Sequence, residues 1–239
     1  MKRNLISLTA ISICLVACGK ESDFKKAIND KISQTPVCLN VYKDSISGSG
    51  LNEDTLKKLK DKTKDSYIIE QRYDKDGKYA SYSTERDKQK FVELDSLVGA
   101  GLLAKTTESL ITYSYWGDKK PDGGFIKYTI YNLTDAGKAT TAKVEVSAMS
   151  KAWSGDDGQR VFCYAHPEVE AIENYTEADS QGYQTAQVKY SYKYVDIADW
   201  INKSGVKEAF PEIDATLNKA DKTGRGTLVK TKNGWSTDL

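Results

Sequence analysis

The chain has 239 residues, with 35 Lys and Arg against 34 Asp and Glu. A net charge of +1 leaves no basic excess for displacing counterions from nucleic acid, and 39% apolar content excludes a disordered chain. One histidine excludes a zinc centre built mainly on imidazole, and 15 tyrosines against 5 phenylalanines favour half-buried sheets with wet rims.

Lys2 and Arg3 precede an apolar run from Leu5 to Val16, interrupted only by small polar residues. That is the layout of a secretory signal, and the run is shorter than the roughly 20 apolar residues of a membrane-spanning helix. Its last four residues, Leu15-Val16-Ala17-Cys18, resemble the lipobox of bacterial lipoproteins. The resemblance implies removal of residues 1–17 and a diacylglycerol on the Cys18 thiol. It also implies a lipid anchor in the cell envelope, at the outer membrane facing the periplasm, since no Asp follows the cysteine. Two or three acyl chains, at about 0.8 kcal/mol per buried methylene, hold a protein stably in one leaflet. The competing reading is an ordinary cleaved signal with a coincidental cysteine. Loss of Lys2 and Arg3 takes the net side-chain charge from +1 to −1.

Residues 18–23 read as a polar, lipid-anchored tether. Ser22 or Asp23 then caps a helix to about Ser33, with Phe24, Ala27, Ile28 and Ile32 on one stripe. Pro36 ends it, and residues 37–42 are a strand carrying Cys38. Asn52 to Lys64 is a second helix, capped by Asn52 with Leu51 in the staple position. Tyr67–Tyr73 and Lys78–Ser83 form a hairpin around Asp74-Lys75-Asp76-Gly77. Those four residues resemble part of an EF-hand loop, but the glycine comes two places early and no bidentate Glu follows, so no metal is assigned. Thr84 to Leu103 is the strongest helix, capped by Thr84 and ended by Gly99 and Gly101. Strands over 110–116 and 125–131 flank a turn at Pro121-Asp122-Gly123-Gly124.

Within this stretch, Leu94-x-x-Leu97-Val98-x-x-Gly101-Leu102-Leu103, a hairpin, and Tyr131-Asn132-Leu133-Thr134-x-x-Gly137 resemble the end of a winged-helix domain. The resemblance covers about residues 85–137 and implies the local fold. DNA binding is not carried over, because an envelope location separates the chain from DNA and the wing offers only Lys119, Lys120 and Lys127.

The second half changes character. Arg160–Tyr164 is a strand carrying Cys163, His166-Pro167 breaks it, Val169–Thr176 is another strand, and residues 178–182 are a loop. Tyr183–Val195 alternates cleanly, with Ala186, Val188, Tyr190, Tyr192 and Tyr194 on one face, and spans roughly 40 Å. Residues 197–217 hold short helices divided by Pro211, and a hairpin over Lys232-Asn233-Gly234 closes the chain. The fold class is α+β: a winged-helix-like domain over 24–150 and an antiparallel sheet with short helices over 151–239.

With Cys14 in the leader and Cys18 acylated, Cys38 and Cys163 remain. In an oxidising envelope they read as a disulfide, worth at most roughly 4–5 kcal/mol from loop entropy; two buried free thiols are the alternative. His166 stands near Asp156, Asp157 and Glu168, but no Gly-x-Ser-x-Gly elbow accompanies it, and it reads as a turn residue. No phosphate loop or dinucleotide fingerprint is present. No catalytic residue and no cofactor is assigned. Trp116, Tyr128, Tyr192 and Trp235 form the candidate surface for an envelope protein partner. The expected function is therefore non-catalytic protein binding, as an assembly accessory or an inhibitor or immunity-type protein. An envelope hydrolase using carboxylates on wall glycan or lipid, and a small-ligand-binding lipoprotein, are the alternatives.

Overall fold

The computed structural model describes residues 14–41, 46–47, 50–79, 84–113, 121–143, 160–180 and 182–237. The fold is α+β and divides into two compact units. One comprises residues 1–37, 165–197 and 218–239, the other 38–164 and 198–217. The units are thus interleaved in sequence, and the expected boundary at 150/151 lies outside the described residues. Among the described residues no helix is long and apolar enough to cross a membrane.

The first unit is a helix on a curled antiparallel sheet. Helix α1 (Cys14–Ile32) starts before Ser22 and Asp23, so the expected tether and cap at that point are helix instead. Its stripe is as expected: Phe24, Ala27 and Ile28 are buried against Val169, Ala186, Val188 and Leu228. Phe24 meets Tyr175 and Trp235 edge to face, each at 5.0 Å between centroids. The sheet runs in the order β6 (Arg160–Ser180), β7 (Tyr183–Val195), β8 (Thr223–Thr231), β9 (Gly234–Ser236). In this unit β6 contributes from Ala165 onward.

Strand β6 corrects the sequence reading twice. His166-Pro167 does not break it, and residues 178–180 are strand rather than loop, with Ser180 opposite Tyr183. Pro167 sits opposite Tyr194. Strand N–H groups two residues apart point the same way, and the Val169 N–H donates to Asn29 Oδ1 of α1 at 2.8 Å. The missing N–H of Pro167 therefore lies on that same side, where no ladder bond is lost. Register shifts between Val169 and Ala171 and between Ile172 and Asn174 bend the strand.

The second unit holds a three-stranded antiparallel sheet in the order β2 (Tyr67–Tyr73), β4 (Pro121–Leu133), β3 (Leu103–Tyr113). Helix α2 (Glu53–Lys62) is capped as expected, Asn52 Oδ1 accepting from the Thr55 N–H at 2.8 Å. The Asp74–Gly77 turn forms, but among the described residues only a Tyr73–Tyr79 bridge follows it, and residues 80–83 lie outside them. The full-length partner of β2 is β4. Strand β3 begins at Leu103, well before the expected Leu110, and Pro121 to Gly124 belong to β4 rather than to a turn.

Helix α3 (Thr84–Gly99) ends in a double closure. The Leu102 N–H donates to Leu97 O, the Gly101 N–H donates to Val98 O, and Gly101 takes the left-handed φ of +81°. The capping role expected of the Thr84 side chain lies outside the described residues. Thr134 then caps α4 (Asp135–Thr140), its Oγ1 accepting from the Gly137 N–H at 3.0 Å and donating to Gly101 O at 2.7 Å. A Cβ on Gly137 would stand 2.1 Å from Leu102 O, so backbone packs directly on backbone there.

Arg160, Val161 and Phe162 of β6 pair with β5 (Thr141–Lys143), and β6 also neighbours β1 (Val37–Leu39). The Cys38–Cys163 disulfide joins β1 to β6 across 125 positions; both cysteines belong to this one unit. A 3-10 turn (Asp199–Asn202), α5 (Val206–Ala209) and α6 (Glu212–Leu217) bury Trp200, Ile201, Val206, Phe210 and Ile213.

Two outcomes are expected. Gly137→Ala forces apart the Leu102 and Gly137 backbones and lowers unfolding stability by at least about 2 kcal/mol, read from urea melts. Replacing both Cys38 and Cys163 with Ala lowers it by roughly 2–5 kcal/mol, and reductant reproduces that loss in the parent but not in the variant.

Candidate functional site

The four aromatic residues expected on one surface are not brought together. Trp116 lies outside the described residues. Tyr128 is buried, which corrects its assignment to a surface: it packs with Leu59, Ile68, Ile126 and Ile130. What covers it is Leu59 of α2 together with Ile68 of the neighbouring β2, contacts made far along the chain. Tyr192 and Trp235 both belong to the first unit and are half-buried. Trp235 is largely occupied, with Phe24 against one part of its ring and Lys230 Nζ 5.3 Å from its centroid.

Tyr192 stands in a row. Alternation on β7 puts Tyr190, Tyr192 and Tyr194 on the face that Ala186 and Val188 present to α1. Neighbouring rings are 6.5 Å and 5.6 Å apart, the second pair edge to face. Tyr190 packs on the apolar cluster under α1 and so closely over Gly224 that a Cβ there would lie 2.5 Å from the ring. Tyr192 and Tyr194 continue the row outside that cluster and stay partly exposed.

Next to this end of the row is a cleft of about 400 Å³, lined by Asn29, Ser33, His166, Pro167, Glu168, Val195 and Asp196. His166 and Val195 are register partners, which is how the two strands deliver the chain's histidine to the cleft. Its Nδ1 is buried without a hydrogen-bond partner among the described residues. An unanswered buried polar atom costs about 1–3 kcal/mol. Asp196 turns the chain out of β7 at φ +51°, a left-handed conformation that Asp tolerates better than most residues.

Among the described residues, the cleft sets no free serine hydroxyl beside His166. Ser33 Oγ donates to Asn29 O at 2.6 Å and is committed to its own helix end, and Asn29 Oδ1 is taken by the Val169 N–H. Among the described residues no group of three or more His, Cys, Asp or Glu is placed to hold a metal ion. The features that sequence reasoning passed over are Asp196, brought beside His166 by the strand register, and the helix-end residues Asn29 and Ser33, brought there by the packing of α1 on β6.

The buried tyrosines are electrostatically distinct. Burial raises the phenol pKa of Tyr67, of Tyr128 (with Glu70 adding to it) and of Tyr131, whose O–H also donates to Asp95 at 2.9 Å. Burial lifts Tyr190 as well.

No family model matches the chain, and neither does any curated protein or solved structure.

A pH dependence follows from these phenols. Each holds its proton more tightly folded than unfolded, so its contribution to stability is whole below about pH 10, the unfolded phenol value, and is lost as pH rises through the folded ones. Phenolate absorbance is expected to show Tyr67, Tyr128 and Tyr131 ionising only with alkaline unfolding. Early, reversible ionisation of all 15 tyrosines would contradict their burial.

Proposed function

We propose that this chain is a lipid-anchored envelope protein that works by binding another protein rather than by catalysis. The observation that carries the binding half is the row of tyrosines on β7. It begins under α1 and ends partly exposed at Tyr192 and Tyr194, beside a cleft with an unanswered histidine nitrogen. Half-buried tyrosines on a rigid strand present large contact area at small entropic loss, the composition favoured in protein interfaces. The anchor half rests on the lipobox-like Leu15-Val16-Ala17-Cys18.

The second unit serves in this reading as a winged-helix-like scaffold. The order β2-β4-β3, with α3 leading into β3, and the closure of Gly101-Leu102-Leu103 on Thr134 and Gly137 support that likeness. The partner is an envelope protein, and the chain is either an assembly accessory or an inhibitor of the immunity type. The number of partners separates these, since an immunity-type protein holds one enzyme tightly.

Affinity capture from the native envelope, in parallel with a Tyr192→Ala variant, tests the reading. One stoichiometric protein is expected on the parent, at least tenfold less on the variant, with an unfolding midpoint close to the parent's. Equal capture by both, or none by a correctly oxidised parent, contradicts it.

A further inference from the structure

We infer that the tip of the β6–β7 hairpin, with the exposed ring of Tyr183, rests in the headgroup layer of the membrane that holds the Cys18 lipid. This placement depends on the acylation of Cys18 proposed above and adds to it an orientation for the first unit.

Four contacts fix the direction of α1 along β6. Lys20 Nζ pairs with the Glu177 carboxylate at 2.9 Å, Phe24 lies edge-on to Tyr175, Lys25 Nζ donates to Glu170 O, and Asn29 Oδ1 accepts from the Val169 N–H. As helix numbers rise, strand numbers fall. The N-terminal end of α1 and the far end of β6 therefore point the same way. Cys18 precedes Lys20 by two residues, about 3 Å of helix rise. Ser180 follows Glu177 by three residues, about 10 Å of strand, and Tyr183 is its register partner.

No extended tether intervenes, because Cys18 is already part of α1. A lipid on Cys18 thus pulls a rigid helix, and the sheet packed on it, up to the bilayer with the hairpin tip leading. Tyr183 is 66% exposed, among the most exposed large apolar or aromatic side chains described, although its strand partners are tightly packed further along. An aromatic ring with a polar end suits the membrane interface, where tyrosine is enriched. Asp179, next to the tip and exposed, argues for neutral rather than anionic headgroups as the contact.

The test uses full-length acylated protein with its disulfide intact, carrying an environment-sensitive fluorophore at Tyr183→Cys or at Ile197→Cys. Ile197 is also exposed and lies beyond the other end of β7, roughly 40 Å away. Both proteins are bound to phosphatidylcholine vesicles containing nitroxide-labelled lipid, and floated material alone is measured. The expected result is quenching at least threefold stronger at position 183 than at 197. Equal, weak quenching at both positions on protein that floats overturns the orientation and leaves the anchor standing. Failure of both proteins to float, in material from the native envelope, overturns the anchor and the orientation with it.

Discussion

Phe24 is the contact on which the first unit depends. Its ring is fully buried, edge-on to Tyr175 of β6 and to Trp235 of β9, so one side chain ties the helix to strands at both margins of the sheet. An antiparallel sheet with one apolar face must bury that face against another layer. Here α1 supplies the layer, and the burial of Phe24 alone is worth about 3 kcal/mol. The polar contacts of α1, Lys20 with Glu177 and Asn29 with the Val169 N–H, then set its direction and register. The exposed ion pair adds little stability, and its value is geometric.

In the second unit a close backbone contact works beside the apolar core. At the end of α3 the carbonyl of Leu102 accepts from the Thr134 N–H at 3.0 Å and lies against Gly137, while Thr134 Oγ1 donates back to Gly101 O. Helix end, central strand and the cap of α4 thereby close on one another within a few residues. The disulfide works on a different scale, stapling β1 to β6 over 125 positions of the same unit.

Much of this was legible in the sequence where periodicity and capping act locally. The stripe of α1, the Asn52 cap, the alternation of β7 and the cysteine pair were all read from residue types and spacing. What escaped depends on neighbours far along the chain. Pro167 looked like a strand break because its tolerance is conferred by Asn29, which takes the neighbouring N–H on that side of the strand. Tyr128 looked like a surface ring because nothing local says that Leu59 of α2 and Ile68 of β2 close over it. The expected tether after Cys18 lies within α1, which runs unbroken into the packed stretch from Phe24 onward. Of the candidate site, Tyr192 was legible from alternation. The cleft around His166 was not, since it is assembled from α1, β6 and the turn at Asp196.

An anchor that continues directly into the helix covering the sheet is the central claim, and the intact mass of protein extracted from its native membrane tests it most directly. The account predicts a chain beginning at Cys18, heavier by two or three acyl chains with glycerol and lighter by the two hydrogens of the Cys38–Cys163 bond. A chain that retains its leader, or one cleaved elsewhere and carrying no acyl mass, would contradict it.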